Sequence, residues 1–224
     1  DCHFDPARLM MALKTYLLNK GINFQLNTTV TGFEKSSSNI TAIITDKGKF
    51  DCDEILLSPG SWMPEFAKMM GFKLLLQPGK GYSHTYQHVE KNLQYPAILV
   101  DGSCAISPWG HQLRIGGTME LSGINNNVLV KRMKGIFKSV SDFYPGLKID
   151  FPPEDKIWNG LRPVTPDGLP FIGRHAAVNN VLFAGGHAML GLSLAAGTGK
   201  LVKEIIGKNP LSVSIEAFRL NRFG

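Results

Sequence analysis

The chain has 224 residues, a length that suits one large domain or two small ones. Hydrophobic residues make up 43% of it and charged residues 19%, which excludes a largely disordered protein. The formal net charge is +6, but the basic residues are scattered without interleaved aromatic side chains, so we predict no nucleic-acid partner. No apolar stretch approaches the roughly 20 residues that cross a bilayer, although contact with a membrane surface is compatible with the sequence.

The cysteines indicate a reducing compartment. Cys2, Cys52 and Cys104 are odd in number and lack C-x-x-C spacing, so neither a disulfide framework nor a cysteine metal site is expected. The histidines show no metal-ligand spacing either. We therefore predict a cytoplasmic protein without a bound metal.

The first predicted element is a helix. Asp5 is a suitable N-cap and Pro6 a suitable first helical residue, and Gly21 ends the helix. Four apolar residues at helical spacing give it one apolar face: Leu9, Leu13, Tyr16 and Leu17. Short strands are then predicted at residues 22–26, 30–34, 40–45 and 54–58. The last of these strands runs into a turn that contains Gly60 and Trp62.

The pattern changes after this turn. Short alternating runs predict antiparallel strands at residues 82–86, 97–100, 104–108 and 112–117. Residues 127–143 predict a helix, because their apolar side chains recur at helical spacing. This arrangement is typical of a sheet with one helix on its outer side.

Two segments near the C-terminus are the most informative. Residues 158–173 read WNGLRPVTPDGLPFIG, and residues 180–195 read NVLFAGGHAMLGLSLA. The first predicts a strand that carries Arg162, followed by a rigid loop in which Gly168 is free to take a positive φ. The second predicts a buried strand that enters a helix, residues 192–206, through a run of glycines.

Both segments have a chemical use. Arg162 presents paired N–H donors that match a carboxylate. The backbone N–H groups between Gly186 and Gly191, with the positive end of the helix dipole, suit an anion. Without a ligand, the same residues are a structural arginine and a tight contact between a helix and a sheet.

Together the two segments closely resemble the C-terminal end of FAD-dependent oxidoreductases of the D-amino-acid oxidase family, and within it the D-amino-acid dehydrogenases. The resemblance implies a mixed α/β (α+β) fold. Part of an FAD-binding domain would occupy residues 1–62 and 156–224, and an antiparallel-sheet substrate domain would occupy residues 63–155. Full members open with a G-x-G-x-x-G fingerprint, which this sequence does not contain. We therefore expect the C-terminal portion of a flavoenzyme.

The resemblance also implies site residues. Arg162 would hold the substrate carboxylate, so that the α-hydrogen faces the flavin. Tyr82, His84 and Tyr86 alternate along a strand and would share one face, which either lines the substrate pocket or packs in the core. The residues implied to contact FAD are Val30, Gly60, Trp62, Gly168, Gly186, His187, Gly191 and Leu192. His187 would orient the loop or the flavin rather than move protons.

The activity implied is oxidation of a small D-amino acid to a 2-oxo acid and ammonia, with a hydride passing to FAD and then to an unidentified electron acceptor. Glycine, sarcosine or a 2-hydroxy acid are alternative substrates, because one arginine serves any carboxylate. A fragment or degenerate homologue that binds no FAD is the non-enzymatic alternative. An incomplete cofactor domain would expose a sheet face, so we predict self-association there, and peripheral contact with the inner membrane is a further possibility.

Overall fold

The computed structural model describes residues 4–224. Its helices are α1 (Pro6–Asn19), α2 (Met63–Met69), α3 (Val130–Phe143) and α4 (Gly191–Ile206). Its strands are β1 (Val30–Ser36), β2 (Asn39–Thr45), β3 (Gly48–Asp51), β4 (Ile55–Leu57), β5 (Gln77–Tyr86), β6 (Ala97–Leu99), β7 (Cys104–Trp109), β8 (Gln112–Glu120), β9 (Trp158–Val164), β10 (Phe171–His175) and β11 (Val178–Gly185). This is the mixed fold that the sequence predicts. No helix in that range is long and apolar enough to cross a membrane.

The chain divides into two compact units, each built from separate stretches. The first unit contains the residues through Leu26, Lys80–Glu120 and Asn125–Gly160. The second unit contains Asn27–Gly79, Leu121–Ile124 and Leu161–Gly224.

Helix α1 begins where the sequence predicts. Asp5 Oδ1 accepts hydrogen bonds from the backbone N–H groups of Ala7 and Arg8, at 2.9 and 3.3 Å. Gly21, with φ of +81°, follows the end of the helix. The predicted strand at residues 22–26 is wrong: this segment is irregular and exposed. Alternation alone does not form a strand, since a strand needs a hydrogen-bonded neighbour.

The apolar face of α1 is not covered within residues 4–224. None of the helix residues is buried, and Tyr16 is more than half exposed. The sequence therefore predicts the helix and its amphipathic pattern correctly, but the described chain supplies no core for that face.

The first unit is built on strands β6, β7 and β8 and most of β5, which belong to a five-stranded sheet in the order β6-β7-β8-β5-β9. Helix α3 packs against β7 and β8. Ile115 on β8 shares a core with Met133 and Ile136 on α3, and burial of each such side chain contributes about 1.5–3 kcal/mol. The predicted antiparallel sheet with an outer helix is confirmed.

Helix α3 begins at Val130, three residues later than predicted. Two buried side chains from β5 bond to the backbone just before it. Lys80 Nζ donates to Asn127 O at 2.9 Å, and the N–H of Leu129 donates to Tyr82 Oη at 3.3 Å. Asn127 O, which accepts from Lys80, is a carbonyl that an additional N-terminal turn of helix would otherwise use, whereas the N–H groups of a first helical turn have no partner within the helix.

The second unit contains two small sheets. Strands β1, β2 and β3 form an antiparallel meander, and β10, β11 and β4 form a sheet in which β4 runs parallel to β11. Helix α2, which the sequence pattern did not predict, inserts Met63 and Ala67 into the core beside Phe171 and Phe183.

One side chain connects the meander to the other sheet. Asn180 on β11 donates from Nδ2 to Ile40 O at 2.7 Å and to Asp53 O at 2.9 Å. Its Oδ1 accepts from the N–H of Ile40 at 2.9 Å. A single amide thus satisfies three backbone groups from distant parts of the sequence.

Candidate functional site

A glycine-rich turn, residues 185–191, connects β11 to α4 in the second unit. Gly186 has φ of +86°, and a Cβ at this position would lie 2.9 Å from Thr165 Cγ2. Only glycine fits both the dihedral angle and the space. Ala188 also has a positive φ, of +48°, and its N–H donates to Pro163 O at 2.9 Å. This hydrogen bond joins the glycine-rich turn to the residue next to Arg162.

Arg162 lies on β9, between Leu161 and Pro163, and is half-buried. It has interaction partners within the protein. The strand position and partial burial are those expected from its apolar neighbours. The structure therefore brings the chain around Arg162 and the glycine-rich turn together, although 23 residues separate Pro163 from Gly186.

The N-terminus of α4 has no side-chain cap. Gly191 is half-buried and Leu192 is exposed, so the first turn of the helix presents backbone N–H groups with little side-chain cover. A Cβ at Gly191 would meet only His187 Cβ within 4 Å, at 3.8 Å. The first turn can therefore donate hydrogen bonds to an acceptor brought close to it.

His187 holds the turn against this helix. Its Nε2 is hydrogen-bonded to Thr198 Oγ1 at 2.8 Å. Burial lowers the pKa of His187, so the imidazole is neutral at pH 7. A neutral ring that is already bonded to a threonine can hold the turn against α4. The role predicted for His187, in orienting the loop or the flavin, stays a prediction.

The predicted rigid loop at residues 165–170 is present. Gly168 takes the expected positive φ, of +76°, and is exposed. Thr165, which is buried, donates from Oγ1 to Leu169 O at 2.8 Å. Asp167 Oδ1 accepts from the N–H of Leu169 at 3.0 Å, so side chains as well as prolines fix the loop.

Arg222 stabilises this loop from the end of the chain. Its Nε donates to Asp167 Oδ2 at 2.8 Å and its Nη2 to Asp167 Oδ1 at 2.9 Å, a bidentate pair. It also donates to the carbonyls of Leu169 and Pro170, and its guanidinium lies over the ring of Phe171. No local pattern indicates this role, because the partners lie more than 50 residues apart.

This pair predicts a pH dependence of stability. The hydrogen bonds from Arg222 are the main cause that lowers the pKa of Asp167 to about 2. Because the folded pKa lies below the unfolded value of about 3.9, the pair stabilises the fold above about pH 4, and the contribution is lost as the pH falls toward 2. We expect Arg222→Gln to lower the free energy of unfolding at pH 7 by about 1.5–3 kcal/mol, the usual value of charged hydrogen bonds.

Urea denaturation at pH 7, 4 and 3 measures this effect. The variant should lose less stability than the wild type over the acid range. Arg219→Gln, which removes an exposed ion pair with Glu216, is the control and should follow the wild-type profile. Parallel pH profiles for Arg222→Gln and the wild type would contradict the assignment.

The remaining predicted cofactor residues also lie in the second unit. Val30 is the half-buried first residue of β1. Gly60, with φ of +60°, opens a 3-10 turn, and Trp62 in that turn is 44% exposed. The next residue, Met63, approaches the glycine-rich turn, since a Cβ on Gly185 would lie 2.5 Å from Met63 Cε. The structure therefore places the end of the Gly60–Trp62 turn beside the glycine-rich turn.

The three predicted substrate-binding residues of β5 lie in the first unit and have different surroundings. Tyr82 is 1% exposed, and its hydroxyl donates to Glu120 Oε2 at 2.5 Å. His84 Nδ1 is hydrogen-bonded to Lys156 O at 2.9 Å, and Tyr86 Oη donates to Asp150 O at 2.7 Å. Tyr82 is thus part of the core, which is one of the two locations that the sequence left open for these residues. His84 and Tyr86, by contrast, line a cavity.

A buried polar network surrounds Tyr82. Lys80 is fully buried; its Nζ donates to Asn125 Oδ1 and lies 3.6 Å from Glu120 Oε1. Arg132 Nε lies 3.4 Å from Glu120 Oε2. One nearly buried carboxylate therefore lies between a buried lysine and a partly exposed arginine.

Comparison with known proteins gives a consistent result. A family model described as DAO, FAD dependent oxidoreductase, matches residues 1–205. The D-amino acid dehydrogenase of Allorhizobium ampelinum is 30% identical over 205 residues, which are 91% of this chain and 48% of that protein. The D-amino acid dehydrogenase of Rhodopseudomonas palustris is 30% identical over 225 residues, which are 100% of this chain and 51% of that protein. The chain thus spans about half the length of these curated relatives.

Solved structures share the fold. L-proline dehydrogenase from P. horikoshii superposes with a TM-score of 0.86 at 21% identity, covering 98% of this chain and 60% of that one. Glycine oxidase from Geobacillus kaustophilus superposes with a TM-score of 0.76 at 23% identity, covering 88% of this chain and 52% of that one.

Proposed function

Because the chain belongs to the DAO family of FAD-dependent oxidoreductases, we propose that it supplies the substrate anchor and part of the flavin site of an amino-acid dehydrogenase. The substrate is a small D-amino acid, and the products are a 2-oxo acid and ammonia. The names of the relatives, D-amino acid dehydrogenases at 30% identity, support this choice over glycine, sarcosine or a 2-hydroxy acid.

The hydrogen bond from Ala188 N–H to Pro163 O is the observation that carries the proposal. It places the strand of Arg162 beside the glycine-rich turn. A carboxylate anchor and an electron-acceptor site must be adjacent if one substrate is to reach both. Arg162 holds the substrate carboxylate, and the substrate amine must be neutral for the α-carbon to lose a hydride.

The residues present fit a flavin at the turn. The uncapped first turn of α4 offers backbone N–H groups to the acceptor edge of the ring, and Gly191 leaves room for close approach. The chemistry that bound FAD supplies there is acceptance of the hydride from the α-carbon. Loss of a proton from nitrogen then leaves an imine, which water hydrolyses to the 2-oxo acid and ammonia.

We assign the other contacts within the same proposal. Val30, Gly60, Trp62, Gly168, Gly186 and Leu192 complete the flavin side, His187 orients the turn, and His84 and Tyr86 contact the substrate. Residues 1–62 and 156–224 then correspond to the cofactor domain and residues 63–155 to the substrate domain. The electron acceptor remains unidentified.

Association with other molecules is part of the proposal. The exposed apolar face of α1 and the short strand β4, which pairs with β11 alone among the described strands, support self-association. A cytoplasmic location with peripheral contact at the inner membrane stays a prediction.

Flavin content and turnover test the proposed function. The protein at its native length should show a visible flavin band and reduce an artificial electron-acceptor dye with D-alanine, but not with L-alanine or D-lactate. We expect Gly191→Leu to lose most of the flavin, because the side chain would occupy the space at the first turn of α4.

Gly135→Leu is the matched control. Gly135 is also a helical glycine, in α3, and a Cβ there meets no atom within 4 Å. This variant should keep the flavin band. A colourless wild-type protein would overturn the proposal, and turnover of D-lactate in place of D-alanine would change the substrate class.

A further inference from the structure

The cavity that His84 and Tyr86 line lies within the first unit and has groups that suit an anion. It has a volume of about 510 Å³, and its lining includes His84, Tyr86, Arg114, Lys156 and Trp158. Two of the lining side chains are cationic, Arg114 and Lys156, and none of the lining residues in this described unit is an aspartate or glutamate. Lys156 Nζ lies 3.3 Å from Asp155 Oδ2, so Arg114 is the group that gives the cavity its positive charge, between aromatic walls.

Arg114 is the central group of this cavity. Its neighbours on β8, Leu113 and Ile115, are fully buried in the core, so alternation places Arg114 on the opposite face of the sheet. Its Nη2 donates to Ser83 Oγ at 2.9 Å, and its guanidinium carbon lies 5.1 Å from the ring centre of Trp158. The serine and the indole hold the guanidinium plane in one orientation.

Two neighbouring glycines, Gly116 and Gly160, leave the space that Ser83 and Trp158 occupy. A Cβ on Gly116 would lie 2.8 Å from Ser83 Cβ, and a Cβ on Gly160 would overlap the indole of Trp158. Each glycine thus leaves the space that one of the two supporting side chains occupies. The support of Arg114 therefore depends on several positions of the sheet.

Within residues 4–224, Arg114 has no acidic partner, in contrast to three other arginines. Arg132 pairs with Glu120, Arg174 with Glu54 and Arg222 with Asp167. Burial lowers the pKa of Arg114, and no aspartate or glutamate within residues 4–224 opposes that effect. A partly buried guanidinium is costly without a counter-charge, so an anionic ligand would stabilise it.

We propose that this cavity binds a carboxylate, which accepts paired hydrogen bonds from Arg114. A guanidinium fixed in one plane matches the two oxygens of a carboxylate. The aromatic walls accept the apolar part of the ligand. The carboxylate can bind without flavin. The identity of the ligand rests on the proposed function: it is either the α-carboxylate of the amino-acid substrate or a second carboxylate on the substrate's side chain.

Side-chain NMR of the 224-residue chain, labelled with ¹⁵N-arginine, tests the binding. D-Alanine or D-glutamate should shift the Nε–H resonance of Arg114, whereas D-alaninamide, which lacks the carboxylate, should not. Arg114→Gln should weaken binding about 10- to 100-fold, and Arg114→Lys should weaken it too, because a single ammonium cannot form the paired bonds. Arg8→Gln, which removes an exposed positive charge, is the matched control and should bind normally.

Equal binding of D-alanine and D-alaninamide would overturn the proposal, and this comparison needs no variant to fold. A resonance that moves with inorganic phosphate but with neither amino acid would overturn it as well.

Steady-state kinetics of the protein at its native length distinguish the two ligands. If Arg114→Gln raises KM for D-glutamate alone, the cavity holds a second carboxylate; if it raises KM for D-alanine equally, the cavity holds the α-carboxylate. An unchanged KM for both would overturn the proposal. Carboxylate binding without turnover of any amino acid would instead refute the proposed function and leave the cavity assignment intact.

Discussion

Replacement of Glu120 by glutamine is expected to lower the free energy of unfolding by about 3–5 kcal/mol, the usual cost of removing one partner from a buried ion pair. Glutamine keeps the shape of the side chain and an acceptor for Tyr82, so the change removes mainly charge. Lys80, which is fully buried, would lose the carboxylate 3.6 Å from its Nζ, and Arg132 would lose the one 3.4 Å from its Nε. Urea denaturation of the variant and the wild type at pH 7 measures the difference.

An exposed pair supplies the control. Glu34→Gln removes the carboxylate 2.5 Å from Lys49 Nζ, but both side chains are about half exposed, so the change should lower the free energy of unfolding much less than Glu120→Gln does. The double variant Lys80→Met with Glu120→Gln should be more stable than Glu120→Gln alone, because the buried lysine charge has been removed as well. Equal losses in Glu120→Gln and Glu34→Gln would show that the buried network does not depend on its charge.

Replacement of Arg162 by lysine is expected to reduce kcat/KM for D-alanine by about 100-fold or more, in the protein at its native length. Lysine keeps the positive charge but cannot form the paired hydrogen bonds that orient a carboxylate, and misplacement by about 1 Å can have an effect of this size. The fall should appear in both KM and kcat, since the arginine both binds the substrate and directs its α-carbon. Initial rates with an artificial electron acceptor give both constants.

The flavin content separates this effect from loss of the fold. Arg162→Lys should retain the flavin band of the wild type. Arg174→Lys is the matched control, because Arg174 lies on β10, pairs with Glu54 and has no assigned part in the site. An Arg162→Lys enzyme with wild-type kinetics would remove Arg162 from the site and leave Arg114 as the candidate carboxylate anchor.

Local signals in the sequence predicted those elements whose ends are determined by neighbouring residues. Asp5 and Gly21 determine the two ends of α1, and both act on backbone groups within a few positions. Residues 22–26 failed as a strand because alternation says nothing about whether a partner strand is present. Helix α2 was missed for the opposite reason: Trp62 provides no side-chain cap, and the helix depends on Met63 and Ala67 packing in a core built from distant strands.

In the candidate site, too, some features follow from nearby residues in the sequence and others depend on distant ones. The dihedral angles of Gly168 and Gly186, and the strand position of Arg162, follow from residues close by in the sequence. The role of Arg222, by contrast, depends on a pair 55 residues apart, and Lys80 is buried because side chains 40 or more residues away surround its Nζ. A lysine in a strand is usually solvated, so composition and spacing could not reveal this network.

The hydrogen bonds of the Asn180 amide affect the order in which the protein folds during synthesis. Its amide bonds to Ile40, 140 positions earlier in the chain, so this contact within the second unit cannot form until residue 180 has left the ribosome. The stretch from Lys80 to Gly160, which contains β8, α3 and most of β5, is available much sooner. During translation we therefore expect residues 80–160 to fold before β4 pairs with β11, whereas β1, β2 and β3 can already pair with one another. Until β11 emerges, β4 is a strand without its partner and is open to aggregation.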